Sequence, residues 1–259
     1  MKKTFKAMLT AIALAAPFTA SAEDWQFEFT PYLWLAANEG STGAFTAGPL
    51  GNEISSISEV DITIQDLLDH LDGGTMFNFA AKKGDWLAYS EFTYLTVSDE
   101  QSATIGPLGG SSVDLELGID GTILDVAVGY RVVQNNGFDL YPYVGFRYID
   151  LESDLKLDGS NEVIGIDTTL GDDWIDPVVG VHAAWKINDT FAFQGRLELG
   201  GFQDQPEEHY TVTATLNHKL SDKWSLKYFY RYLKVDYADN GFIYNMEVTG
   251  PGMGATYSF

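Results

Sequence analysis

The stretch KYFYRYLKVDY, residues 227–237, interleaves three cations, Lys227, Arg231 and Lys234, with Tyr228, Phe229, Tyr230, Tyr232 and Tyr237. Aromatic faces stack bases and cations meet phosphates, so the composition alone suits a nucleic-acid surface. The order of the residues points elsewhere. Trp224, Leu226, Tyr228, Tyr230 and Tyr232 fall on one face of an extended chain, and Ser225, Lys227, Phe229 and Arg231 fall on the other. A period of two is the signature of a strand. A strand that is aromatic on one face and charged on the other suits a barrel wall between lipid and lumen, where Trp and Tyr rings sit at the interface.

Charge removes the nucleic-acid reading. The chain carries 15 Lys and Arg against 37 Asp and Glu, a formal net charge of −22. Binding to a phosphate backbone draws its strength from counterions released by net cations, which this chain lacks. Lys2, Lys3 and Lys6, the short apolar run MLTAIALAAPF and the A-x-A site Ala20-Ser21-Ala22 read as a secretory signal peptide over residues 1–22. Residues 23–259 are then a single exported domain, with 12 cations against 37 anions and a net charge of −25. There is no cysteine, so no disulfide closes the fold.

Alternation recurs along the chain. Trp25, Phe27, Phe29, Pro31, Leu33 and Leu35 oppose Gln26, Glu28, Thr30, Tyr32 and Trp34. Val179, Val181, Ala183, Trp185 and Ile187 oppose Asp176, His182 and Lys186, and Phe191, Phe193, Leu197 and Leu199 oppose Gln194, Arg196 and Glu198. Ten strands follow, near 25–37, 75–83, 85–98, 115–133, 137–152, 174–188, 190–202, 208–220, 223–236 and 246–259. Tight turns rich in Gly, Asn and Asp (KKGD, QNNG, IND, SD) alternate with longer acidic connections at 38–74, 99–114, 153–173, 203–207 and 237–245. The expected fold is all-β: a transmembrane, antiparallel, up-and-down β-barrel of about ten strands, with eight or twelve as alternatives. Short turns and both termini face the periplasm, and long acidic loops face outward. A soluble sandwich or lipocalin-like barrel alternates equally well but turns its apolar face inward. The signal segment, the terminal Phe259 and the asymmetry of turns and loops decide between them.

FTPYLW, KKGDWLAYSEFTYL, DWIDPVVGVHAAW, LELGGF, YRYLKVDY and the closing TYSF, spread over the exported chain, resemble an uncharacterised family of Gram-negative outer-membrane β-barrel proteins, porin-like and small. The resemblance implies fold and outer-membrane location and no activity. Independently of the resemblance, a final strand ending in Phe259 is typical of chains inserted by the outer-membrane assembly machinery.

The acids are unevenly placed. The outward connections and their flanks hold 26 acids and one lysine, Lys156, while the rest of the exported chain holds 11 of each sign. Lumen parity collects Glu28, Glu91, Asp125, Asp139, Asp176 and Glu198, together with Arg131, Arg147, Lys186, Arg196, Lys227 and Arg231. Equal numbers of opposite charges withdrawn from water predict a paired network. Such a network can line a selective pore or plug a small barrel, and plugging is the commoner use at this strand number.

Enzyme signatures are absent: no G-x-S-x-G, no H-E-x-x-H and no phosphate loop. DLKLDG at 154–159 starts like a calcium loop, but Lys156 and Gly165 stand where ligands are required. His182 reads as a hydrogen-bonded lumen residue. His209, after Glu207 and Glu208, reads as a rim residue that either pairs with a carboxylate to activate water or is simply solvated. No cofactor is expected. The acid-rich loops either bind Ca2+ or Mg2+ diffusely, in contact with lipopolysaccharide and outer-membrane lipid, or serve to keep the surface solvated.

Three functions remain open: a narrow cation-preferring pore, a closed barrel with structural or surface-interaction roles, and a rim hydrolase. One further element bears on them. In DITIQDLLDHLDGG, residues 61–74, Thr63 caps a short helix with Asp66 three residues on. Ile64, Leu67, Leu68 and Leu71 form an apolar stripe. So short a helix does not hold alone in water, so the stripe is expected to rest on the barrel mouth and cover part of the opening.

Overall fold

A computed structural model describes residues 25–47, 53–105, 111–159, 165–202, 208–239 and 241–259. The proposed signal segment, residues 1–22, lies outside them.

In chain order the elements are β1 (Gln26–Trp34), β2 (Ala37–Ala47), β3 (Glu53–Ile62), α1 (Ile64–His70), β4 (Leu71–Lys83), β5 (Trp86–Ile105), β6 (Ser111–Tyr130) and β7 (Val133–Asn135). There follow β8 (Phe138–Gly159), β9 (Gly165–Lys186), β10 (Phe191–Gly200), β11 (Glu208–Lys219), β12 (Trp224–Asp239) and β13 (Phe242–Ser258). β1, β4, β5, β6, β8, β9, β10, β11, β12 and β13 pair in that order, and β1 pairs with β13 to close a ten-stranded antiparallel barrel. Closure leaves no free edge in the wall, which a strand in lipid requires. At one end, here the turn end, the strands join through tight connections. Gly84 (φ 57°), Asn136 (φ 47°) and Gly137 (φ 81°) adopt the left-handed backbone that such turns demand. Both termini of the barrel lie at this end, where Phe27 and Phe259 exchange backbone hydrogen bonds of 2.9 and 3.0 Å.

The wall is apolar outside and polar inside. Phe29, Leu33, Val144, Phe146, Val179, Leu197, Tyr228 and Met253 are exposed, whereas Glu91, Asp125, Arg147, Asp176 and Glu198 are buried. A soluble barrel has the reverse arrangement, so the exposed face is one that suits lipid. Trp25, Trp86, Tyr130, Trp185, Trp224 and Phe259 ring the turn end, and Tyr94, Tyr210 and Tyr230 are exposed toward the other. Two aromatic belts flanking an apolar band are what a bilayer selects. The opening stretch is β12. Lys227 and Arg231 point inward as expected, and Lys234 points outward to Glu247 at 3.4 Å.

Two features differ from the expected strand map. The connections at 99–114 and 153–173 are mostly strand, because β5, β6, β8 and β9 run on for 20–22 residues. The connection at 38–74 holds a hairpin as well as the helix. β2 takes over from β1 along β13, from the Trp34–Gly252 pair to the Ala37–Thr249 pair, and β3 folds back on β2. The β1–β4 ladder stops at Pro31–Phe77, and β3 pairs only with β2 among the described residues. A seam is left between β3 and β4 toward the loop end, and α1 joins its two sides. Thr63 accepts a hydrogen bond from the Asp66 amide, and the Asp66 carboxylate accepts one from the Thr63 amide, so the helix start is capped reciprocally. Leu67 is buried and Ile64 and Leu71 are half-buried, whereas Leu68 of the expected stripe faces solvent.

Candidate functional site

The interior is divided into three storeys, and the middle one is charged. The registers place Glu91, Asp125, Arg147 and Asp176 side by side on β5, β6, β8 and β9, all facing in. The Arg147 guanidinium holds both Asp125 oxygens, at 2.6 and 3.1 Å, and donates to Glu198 at 2.7 Å and to the Thr211 hydroxyl at 3.1 Å. Glu198 also accepts from Tyr89 at 3.1 Å and Tyr143 at 2.9 Å. Beside this cluster Glu91 bridges two cations, with Arg196 at 2.9 Å and Arg231 in direct contact. The Arg231 guanidinium lies 4.8 Å from the centre of the Trp34 ring and 5.3 Å from that of Phe229, so aromatic faces complete its surroundings. Every one of these charges has a partner of opposite sign, the condition under which charges tolerate burial.

Asp176 forms the outer corner, accepting from Trp174 Nε1 at 3.1 Å and meeting His209 Nδ1 at 3.0 Å. His209 is therefore not a rim residue. Its side chain is wholly buried against β10, and a Cβ on Gly200 would stand 2.0 Å from the imidazole. Gly200 of LELGGF thus makes room for an interior ring, a close approach only glycine permits. Gly180 does the same for Tyr143, whose ring a Cβ there would meet at 2.4 Å.

Toward the turn end lies a polar cavity of about 130 Å³, lined among others by Glu28, Lys82, His182, Gln194 and Lys227. Glu28 meets Lys227 at 3.2 Å and Lys82 at 3.6 Å. Toward the loop end lies a second cavity of about 170 Å³ with no charged residue among the described residues of its lining. Trp34, Ile149, Leu233, Val235, Met246 and Val248 are buried around it. Inward parity continues here while the inward residues become aliphatic.

Of the lumen charges read from parity, Glu91, Asp125, Arg147, Asp176, Arg196, Glu198 and Arg231 meet in the middle storey, and Glu28 and Lys227 pair below it. Arg131 sits at the turn end, 2.6 Å from Asp85 and 3.5 Å from Asp139. Lys186 is outside the network: it is exposed and pairs with Asp189 in the turn at 2.7 Å, an interaction that holds the Asp189 carboxyl below its usual range. Both misassignments have one cause, since parity fixes the face of a residue but not its height. Lys82, Tyr89, Tyr143, Thr211 and His209 were missed as members, although the same parity places Lys82 and Tyr89 inward. Among the described residues no group of three or more His, Cys, Asp or Glu side chains could hold a metal ion.

No protein-family model matches the chain, and no curated protein matches it in sequence. Solved structures do match. The outer-membrane protease OmpT from Escherichia coli superposes with a TM-score of 0.59 at 9% identity, over 92% of this chain and 98% of that one. The translocator domain of the autotransporter NalP from Neisseria meningitidis superposes with a TM-score of 0.51 at 12% identity, over 91% and 88%. At such identities the likeness concerns the fold. The chain has the fold of an outer-membrane β-barrel.

Proposed function

We propose that the chain is a closed, non-enzymatic outer-membrane barrel that presents its acidic end outward and does not conduct through its resting lumen. The observation that carries this reading is the ion-pair septum. Arg147, Asp125 and Glu198 are each at most a twentieth exposed in their side chains and occupy the centre of a ten-stranded bore. An ion crossing the lumen would have to separate these pairs and then traverse a chamber whose described lining holds no charged group, where water itself is poorly held. The turn end is placed in the periplasm because barrels of this class carry short turns there. Loops rich in acid then meet the divalent cations and headgroups of lipopolysaccharide, and Phe259 offers the last strand to the assembly machinery. A hydrolase reading finds little support: the His209–Asp176 pair is buried away from the rim. The competing reading, a cation-preferring pore, draws on the acidic surplus of the loops and the polar cavity at the turn end. Proteoliposomes loaded with potassium chloride separate the two. A sealed barrel develops no diffusion potential when the external salt is diluted, whereas a potential of the sign expected for potassium efflux would establish the pore.

A further inference from the structure

We propose that the loop-end cavity is a binding site for a small uncharged hydrophobic molecule about the size of one aromatic ring. Four observations support it. The first is chemical contrast. One storey down the lumen is filled by paired charges, yet around this cavity Trp34, Ile149, Leu233, Val235 and Met246 bury apolar surface. A barrel interior has no structural need for that, since polar side chains filled the same bore below. The second is volume. An aliphatic void of about 170 Å³ is a loss of packing unless something occupies it, and apolar cavities of about 150 Å³ stay dry and admit benzene.

The third observation concerns what the lining can offer a polar ligand. Trp34 Nε1 already donates to the Gly250 carbonyl at 3.1 Å, the Thr42 hydroxyl to the Ile243 carbonyl at 3.0 Å, and Thr93 is bonded to the Tyr32 hydroxyl at 2.9 Å. With these groups engaged, the described lining keeps only the neutral Asn38, Ser153 and Tyr244 as polar groups and no charge. A carboxylate or ammonium would therefore enter without a counter-charge, at a prohibitive desolvation cost. The fourth is access. The seam between β3 and β4 is crossed by α1, and the single fully buried residue of that helix, Leu67, lines the cavity. A seven-residue helix holds only through its contacts, so its displacement opens the chamber sideways without breaking a wall strand or disturbing the septum.

The test uses refolded full-length barrel in lipid nanodiscs and fluorobenzene as the probe, followed by fluorine NMR. Saturable binding is defined as the signal removed by excess benzene, which separates it from partitioning into lipid. The proposal expects saturable binding to the wild type, at least a tenfold loss in Ile123→Trp, which fills the cavity from a half-buried position, and no competition by benzoate. Should Ile123→Trp fail to fold, Leu151→Trp fills the same space from a neighbouring strand. As a second readout, fluorobenzene should perturb the fluorescence of the wild type more than that of Trp34→Phe. Absence of saturable binding, undiminished binding in the filled variants, or equal competition by benzoate would overturn the site. If n-octane displaces the probe far better than benzene does, the occupant is an alkyl chain and the assignment to a compact ring fails.

Discussion

Replacing Arg147 by alanine removes four hydrogen bonds from the centre of the septum: two to Asp125, one to Glu198 and one to Thr211. The carboxylates left behind fare unequally. Glu198 keeps the Tyr89 and Tyr143 hydroxyls, whereas Asp125 loses the cation that held both of its oxygens. Breaking a buried pair in this way costs roughly 3–5 kcal/mol, and every 1.4 kcal/mol is tenfold in the folding equilibrium, so the population of folded barrel should fall by about two to three and a half decades. Lys219→Ala supplies the control. Its partner Asp222, at 2.8 Å, is almost fully exposed, and solvated pairs contribute little to stability. Both variants can be unfolded reversibly in guanidinium from phospholipid vesicles and followed by the shift between folded and unfolded gel mobility. A double variant, Arg147→Met with Asp125→Asn, should recover part of the loss by removing the stranded charge as well. If Arg147→Ala and Lys219→Ala shift the midpoint equally, the middle storey is wet and the septum does not exist as described.

Gly200→Ala should cost about 1–3 kcal/mol through overpacking, because its methyl would meet the His209 ring. Adding His209→Ala should relieve most of that cost, and a purely additive pair would show that the two positions do not touch. Deleting Phe259 removes its ring contacts with Phe27 and Tyr257 and its backbone bonds to Phe27, and the yield of heat-modifiable protein in outer membranes should fall; unchanged yield would make the terminal ring incidental. The hydrogen bonds from Thr63 hold the Asp66 carboxyl below its usual range. A folded value below the unfolded one means the cap is fully present above about pH 4 and is lost as pH falls through the lower, folded value. The protection of α1 amides, taken relative to the unstructured chain at each pH, should then fall on acidification in the wild type and change much less in Asp66→Asn, and equal profiles would remove the cap from the account.

Strand number was legible because it rests on a period of two. The lipid-facing side was legible only through the signal segment, Phe259 and the asymmetry of turns and loops, since the period alone serves a soluble barrel equally well. The capped helix was legible because Thr63 and Asp66 form a local motif that needs no distant partner. The interior was only half legible. Parity sends Arg147 and Lys186 to the same face, but one lies mid-barrel and the other in a turn. Height follows from inter-strand register, which depends on where each ladder begins. The partners of Glu198 show the same limit: Tyr89 and Tyr143 lie 109 and 55 residues away in sequence and meet it only through closure. The apolar chamber was hidden because the inward residues of β12 change from Lys227 and Arg231 to Leu233 and Val235 without any change of period. Within one strand that change looks like noise. It becomes a cavity wall only when Trp34, Ile149 and Met246 are brought to the same level by their own registers.

Single-channel recording of the refolded protein in a planar bilayer bears most directly on the sealed lumen. The account predicts a silent membrane from the wild type over ordinary voltages and salt. Steps of defined conductance from the folded wild type, with cations carrying the current, would contradict it.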